Sequence, residues 1–115
     1  MNTTPMEGVE LFKGVADKKG LACSCIDFIV APPFTHLSEI VKIARGTGIA
    51  VSAQNCAAEA KGAYTGEVSA QMIASLGVEY VILGHSERRE YYGETSATLN
   101  KKMEQAYANN LAPIY

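Results

Sequence analysis

Apolar positions along this chain fall into two alternating rhythms, one of about 3.6 residues and one of continuous short runs. Met6, Val9, Phe12, Val15 and Ala16 recur at helical spacing. Ahead of them, Thr4-Pro5-Met6-Glu7 reads as a helix start: a threonine cap, proline at the first helical position, and glutamate three residues after the cap. Gly20 is expected to end this helix. Residues 26–31 form an apolar, β-branched run that reads as a buried strand, with Asp27 near an end and Pro32-Pro33 stopping it. Thr35 is expected to cap a second helix, with Leu37, Ile40, Val41 and Ala44 buried and Gly46 and Gly48 closing it. Residues 49–53 read as the next strand.

A polar, glycine-bearing loop follows over residues 54–67, long against the roughly 2–6 residues usual between a strand and its helix. Ser69 opens a helix that should bury Met72, Ile73 and Leu76 and end at Gly77. Residues 80–83 read as a third strand, and residues 85–91 as a short helical segment broken by Gly93. Thr95 or Ser96 then caps a longer helix with Leu99, Met103, Ala106 and Tyr107 on its stripe, and Pro113-Ile114-Tyr115 begins a fourth strand.

Strands alternating with helices predict an α/β fold built of parallel βαβ units. The strands are near-continuous apolar runs, as in sheets covered on both faces. Right-handed crossovers put successive strands side by side in chain order, the start of a barrel. Three full strands between an opening helix and a strand beginning would leave both sheet edges unpaired and the concave face open. Residues 1–115 are therefore expected to be an incomplete barrel domain, an interior slice of a larger (β/α) protein.

Composition narrows the function classes. At 48% hydrophobic and 19% charged, the chain is globular rather than disordered. A net charge of -2 with thinly spread Lys and Arg makes no basic stripe for nucleic acid. No apolar run approaches the roughly 18 residues of a membrane helix, and Met1-Asn2-Thr3-Thr4-Pro5 has no signal-peptide pattern. Cys23, Cys25 and Cys56, an odd count without framework spacing, suggest a reducing compartment, hence the cytoplasm. Their spacing fits no common zinc site, so no metal is expected.

The chemistry concentrates in Leu83-Gly84-His85-Ser86-Glu87-Arg88-Arg89, where a buried strand runs directly into a dense set of ionisable groups. In parallel α/β sheets, reactions take place at the C-terminal ends of strands, which makes His85 the leading candidate. This run resembles the fourth-strand motif of the triosephosphate isomerase family. Ala53-Gln54-Asn55-Cys56 is similar to the end of that family's third strand, Ala63-Tyr64-Thr65-Gly66-Glu67-Val68-Ser69 to its protruding third loop, and Ala31-Pro32-Pro33 to the end of its second strand. The four motifs occur in family order, which makes the likeness specific. Met1-Asn2 resembles the tail of the first-strand motif without its lysine.

The resemblance implies a partial (β/α)8 barrel, running from just after the first strand into the fifth. It implies an isomerase that interconverts dihydroxyacetone phosphate and D-glyceraldehyde 3-phosphate through an enediol(ate), in glycolysis and gluconeogenesis. His85 matches the electrophile that polarises the substrate carbonyl, neutral because it stands at the positive end of a short helix. That neutral role comes with the resemblance, since triosephosphate isomerase is itself a standard example of a histidine kept this way. Glu87 matches an acid beside the missing lysine, and Ser86 is expected to cap the short helix. Tyr64, Thr65, Gly66 and Glu67 match the loop tip that enters the partner subunit of a homodimer, where Glu67 would pair with Arg88 of the partner subunit. The alanine-rich stretch 57–61 is expected outside that contact. Arg89 and Tyr92 are expected to serve packing or the surface, and His36, at a helix start, to be exposed.

No cofactor or metal is implied. The family's catalytic glutamate, lid and phosphate loops belong to later strands, so the 115 residues alone are expected to be inactive. A second reading is a non-catalytic half-barrel that self-associates as a structural module. A third, another phosphosugar barrel enzyme, would not be expected to carry the 85–89 run together with the Thr65-Gly66-Glu67 loop.

Overall fold

A computed structural model describes residues 2–19 and 25–115. Helix and strand alternate as α1 (Pro5–Lys19), β1 (Phe28–Val30), a 3-10 turn (Phe34–His36), α2 (Leu37–Ala44), β2 (Ile49–Ala53), α3 (Ala70–Ser75), β3 (Tyr80–Ile82), α4 (Ser86–Tyr92), α5 (Ser96–Ala108) and β4 (Ala112–Ile114). The strands form one sheet in the order β1-β2-β3-β4, every pair parallel. Phe28 stands beside Ile49, Ala53 beside Val81, and Val81 beside Pro113. This is the one-way winding that the sequence pattern predicts.

Side chains alternate between sheet faces. Ile49, Val51, Ala53, Val81 and Leu83 are buried together with the helix residues Phe12, Leu37, Ile40, Ile73 and Leu99 and with Leu111, which follows α5. Each of the large ones contributes about 1.5–3 kcal/mol relative to an exposed position. The alternate positions face the other way: Ile29 and Ile114 are each 40% exposed, and Tyr80 and Ile82 are only half-buried. One face of the sheet is therefore packed against helices and the other is more open.

Local signals set most element starts. Thr4 donates its amide and its hydroxyl to Glu7 Oε2 at 2.7 and 2.8 Å, anchoring the first turn of α1. These two bonds, the backbone one first, hold the Glu7 carboxyl below its usual range. Ser69 caps α3 by accepting from Met72 N, and Thr95, rather than Ser96, caps α5 by accepting from Thr98 N. All four expected stripe residues of α2 are buried.

Several expectations need correcting. Met6 is 82% exposed, and Gly8 faces inward instead. His36 is not exposed but 1% accessible. The 3-10 turn places its ring against α1, between Thr3 Oγ1 at 3.1 Å and Thr35 Oγ1 at 2.9 Å. Thr35 therefore bonds the ring and does not cap a helix; α2 begins two residues later with no side-chain cap. A side chain at position 8 would collide with the ring: a Cβ there would lie 2.2 Å from His36 Cδ2.

β1 is shorter than residues 26–31, and Ile26 lies outside it, 52% exposed. Met72 and Leu76 are exposed because α3, six residues long, turns only Ala70 and Ile73 inward. Tyr107 is exposed, and Lys102 takes the buried place on α5 because its charge is paired there. Cys25 is disulfide-bonded, against the expectation of three reduced thiols. Gly20 and Cys23 lie outside the described residues.

Candidate active site

β3 carries the chain from buried Val81 to buried Leu83 and then to a sharp turn at Gly84, whose φ of 75° suits glycine. The next residue, His85, is the cap of α4. Its carbonyl accepts from Arg88 N and Arg89 N, and its ring Nδ1 accepts from Glu87 N at 3.3 Å. Ser86 is the first helical residue, so the expected serine cap is in fact a histidine cap. A ring nitrogen that accepts an amide hydrogen carries no proton of its own. In the neutral ring the proton then sits on Nε2, leaving an N–H to donate from a side chain that is 52% exposed. Glu87 Oε2 lies 3.7 Å from the same Nδ1, farther than the amide, and its side chain is 72% exposed. The two contacts compete for one nitrogen, and only the amide bond suits the neutral ring.

The strand ends around His85 are tied laterally. Gln54, after β2, donates to Ala31 O, after β1, at 2.7 Å. Arg89 reaches from α4 back to Gly84 O and across to Tyr115, after β4.

The 54–67 loop has a packed base and an open tip. Asn55, Cys56 and Ala57 are buried, and Ala57 N bonds Val68 O at 2.9 Å to close it. At the tip, Glu67 N bonds Tyr64 O across Thr65 and Gly66, whose φ is 93°. All four tip residues are exposed. Between this loop and α3 lies a depression of about 390 Å3 lined by residues that include Tyr64, Glu67 and Met72.

Three residues that the sequence reading missed support this region. Lys102 Nζ contacts Asn55 Oδ1 at 2.7 Å and Glu94 Oε1 at 2.5 Å, and Arg88 Nε contacts the same Glu94 oxygen at 2.7 Å. Arg88 also stacks over the Tyr92 ring at 4.6 Å. Burial raises the Glu94 carboxyl, but the hydrogen bonds and charges of Lys102 and Arg88 outweigh it and leave the pKa below its usual value. Burial also pushes the Cys56 thiol up to about 11, with Lys102 opposing and Glu94 and Glu67 adding. One signal for Lys102 was available: it lies on the Leu99–Ala106 stripe, where a charge needs a partner. Glu94 carried no comparable mark, and Asn55 was marked only as part of the Ala53-Gln54-Asn55-Cys56 resemblance, with no role of its own. Among the described residues, no helix is long and apolar enough to cross a membrane.

The family model for triosephosphate isomerase matches residues 1–115. This chain belongs to the triosephosphate isomerase family. It is 52% identical to the triosephosphate isomerase of Porphyromonas gingivalis, over all of this chain and 46% of that protein. With the triosephosphate isomerase of Acetivibrio thermocellus it shares 49% identity, over 99% of this chain and 45% of that one. The crystal structure of triosephosphate isomerase from Bartonella henselae superposes with a TM-score of 0.85 at 34% identity, covering 98% of this chain and 46% of that one. The fold is thus part of a triosephosphate isomerase barrel, and the chain spans about half the length of the curated relatives it matches.

Proposed function

We propose that this chain forms the His85-bearing part of a cytoplasmic triose-phosphate isomerase, acting in glycolysis and gluconeogenesis. The substrate is a triose phosphate, and the reaction interconverts dihydroxyacetone phosphate and D-glyceraldehyde 3-phosphate through an enediol(ate). The observation that carries this reading is His85 at the C-terminal end of β3 with Nδ1 engaged by Glu87 N. The Nε2–H is then free to polarise the substrate carbonyl while a base removes the neighbouring carbon's proton. The same nitrogen passes a proton between the two oxygens of the enediol(ate). Ser86 starts the helix that aims the ring, and Glu87 supplies both the orienting amide and a carboxylate beside the site.

By the resemblance, the base glutamate, the lysine and the phosphate loops of the family belong to strands outside the stretch this chain matches, which is 46% of the Porphyromonas gingivalis protein. Residues 1–115 are accordingly read as an incomplete barrel domain that alone turns over no substrate. The reading includes a homodimer in which the exposed tip of Tyr64, Thr65, Gly66 and Glu67 enters the partner, with Glu67 meeting Arg88 of the partner subunit. The Glu94 bond engages only Arg88 Nε, which leaves the Nη groups of that guanidinium to donate to such a carboxylate.

A chimera tests this. The chain replaces the matching segment of the Porphyromonas gingivalis protein, and isomerisation is followed in a coupled assay. The chimera is expected to turn over, His85→Ala to lose at least about 100-fold in kcat, and the 115-residue chain alone to show none. Full activity in the His85→Ala chimera overturns the proposal.

A further inference from the structure

We infer that Arg89 is a positioning residue for His85 and that Tyr115 holds Arg89 in that role; the inference rests on the isomerase reading of His85. Arg89 brackets the histidine. Its backbone amide bonds His85 O at 3.2 Å, and its side-chain Nε donates to Gly84 O at 2.9 Å. Gly84 O and His85 N belong to one planar peptide unit. Holding that oxygen therefore holds the plane from which the histidine departs, while the other bond holds the peptide on its far side.

The preceding residue gives the clamp something to restrain. Gly84 sits at a φ of 75°, a region glycine enters and leaves at little cost. Three side chains close on it: a Cβ there would lie 2.9 Å from Tyr115 Cε2, 3.0 Å from Arg89 Nη2 and 3.3 Å from Leu99 Cδ1. Tyr115 completes the arrangement. Its hydroxyl accepts from Arg89 Nη2 at 2.7 Å, and the guanidinium carbon stands 5.5 Å from its ring centre. One planar fork thus meets a carbonyl with one nitrogen and a neighbouring strand's phenol with another, a geometry a lysine ammonium does not reproduce. Both side chains are exposed, so these bonds add little to global stability. Their consequence is where the imidazole points, a role beyond that of the surface residue expected at Arg89.

The test uses the chimera with Arg89→Met, Arg89→Lys and Tyr115→Phe, together with nitrogen-15 NMR of the His85 ring. Misplacement of a reacting group by about 1 Å costs on the order of 100-fold. Arg89→Met is therefore expected to lower kcat by about 10- to 100-fold with KM changed less than about twofold. Arg89→Lys should recover only part of the loss, and Tyr115→Phe should fall between parent and Arg89→Met. The ring Nδ1 signal should move in the same order, while the thermal midpoint stays near that of the parent. Parental kcat and an unmoved ring signal in Arg89→Met and Tyr115→Phe overturn the inference. An inactive parent chimera overturns the isomerase reading instead, and the ring signals then still decide whether Arg89 orients His85.

Discussion

Lys102 Nζ donates to Asn55 Oδ1 at 2.7 Å, joining the middle of α5 to the base of the 54–67 loop across 47 residues of sequence. Through Glu94 the same ammonium reaches Arg88 on α4. One buried charge cluster therefore ties the element that follows His85 to the loop expected to meet a second subunit. Glu94 Oε2 is buried and makes no hydrogen bond among the described residues, so this carboxylate depends on its two cations.

Removing one cation should be costly. Lys102→Met is expected to destabilise by about 3–5 kcal/mol, because it strips a partner from a buried carboxylate. Lys102→Met with Glu94→Leu should recover much of that loss. Urea unfolding of the parent, single and double variants decides the matter; a single variant within about 1 kcal/mol of the parent would show that the cluster behaves like a surface pair.

The same cluster sets an acid limit. Glu94 titrates lower when folded than when unfolded, so its contribution is present above the ordinary carboxylate value of about 4.5 and is lost as pH falls through the folded value. Stability should therefore fall as the pH drops below about 4.5, and less steeply in Glu94→Gln. Equal pH slopes for parent and variant would rule Glu94 out as a contributor.

Cys56 is fully buried with its thiol pushed up to about 11. The thiolate is the nucleophile, so alkylation by iodoacetamide at pH 8 should be negligible in the folded protein and fast in urea. The linkage has the opposite sign to that of Glu94: the stabilising contribution is complete below the unfolded value and declines as pH rises toward the folded one. Peptide mapping that finds Cys56 modified in the native protein would contradict the burial argument.

Gly8 and His36 make a contact that admits no side chain at position 8. Gly8→Ala is expected to cost about 1–3 kcal/mol through overpacking. In a His36→Ala background the same substitution should cost measurably less, since the ring it strikes is gone. Additive costs in this double-mutant cycle would mean that the contact does not limit position 8.

His85 should be the Nε2–H tautomer when neutral, since Nδ1 accepts from Glu87 N. Long-range proton–nitrogen correlation spectra distinguish the two ring nitrogens. A dominant Nδ1–H form would remove the donor that the proposed chemistry uses.

Much of the fold was legible in the sequence. Residues 49–53, the α2 stripe and the starts at Thr4-Pro5, Ser69 and Thr95 all follow local rules of period and capping, whose partners lie within a turn or two of the chain. The chain-order parallel sheet followed from the alternation of those elements. The placement of His85 just past the C-terminal end of β3 was legible too, and that is the end of such sheets where chemistry is expected.

The succession of elements, the parallel winding and the position of His85 at the end of β3 all follow from the chain alone, because period and capping set the elements and their alternation sets the winding. Tertiary structure alone decided that His36 is buried, that Lys102 rather than Tyr107 faces inward, that Arg88 is held by Glu94, and that Arg89 meets Tyr115. These outcomes turn on groups brought together from distant parts of the chain or from the far end of a helix. Neither period nor propensity carries that information, since the energy of a polar side chain depends on which donor or acceptor the packed fold sets against it.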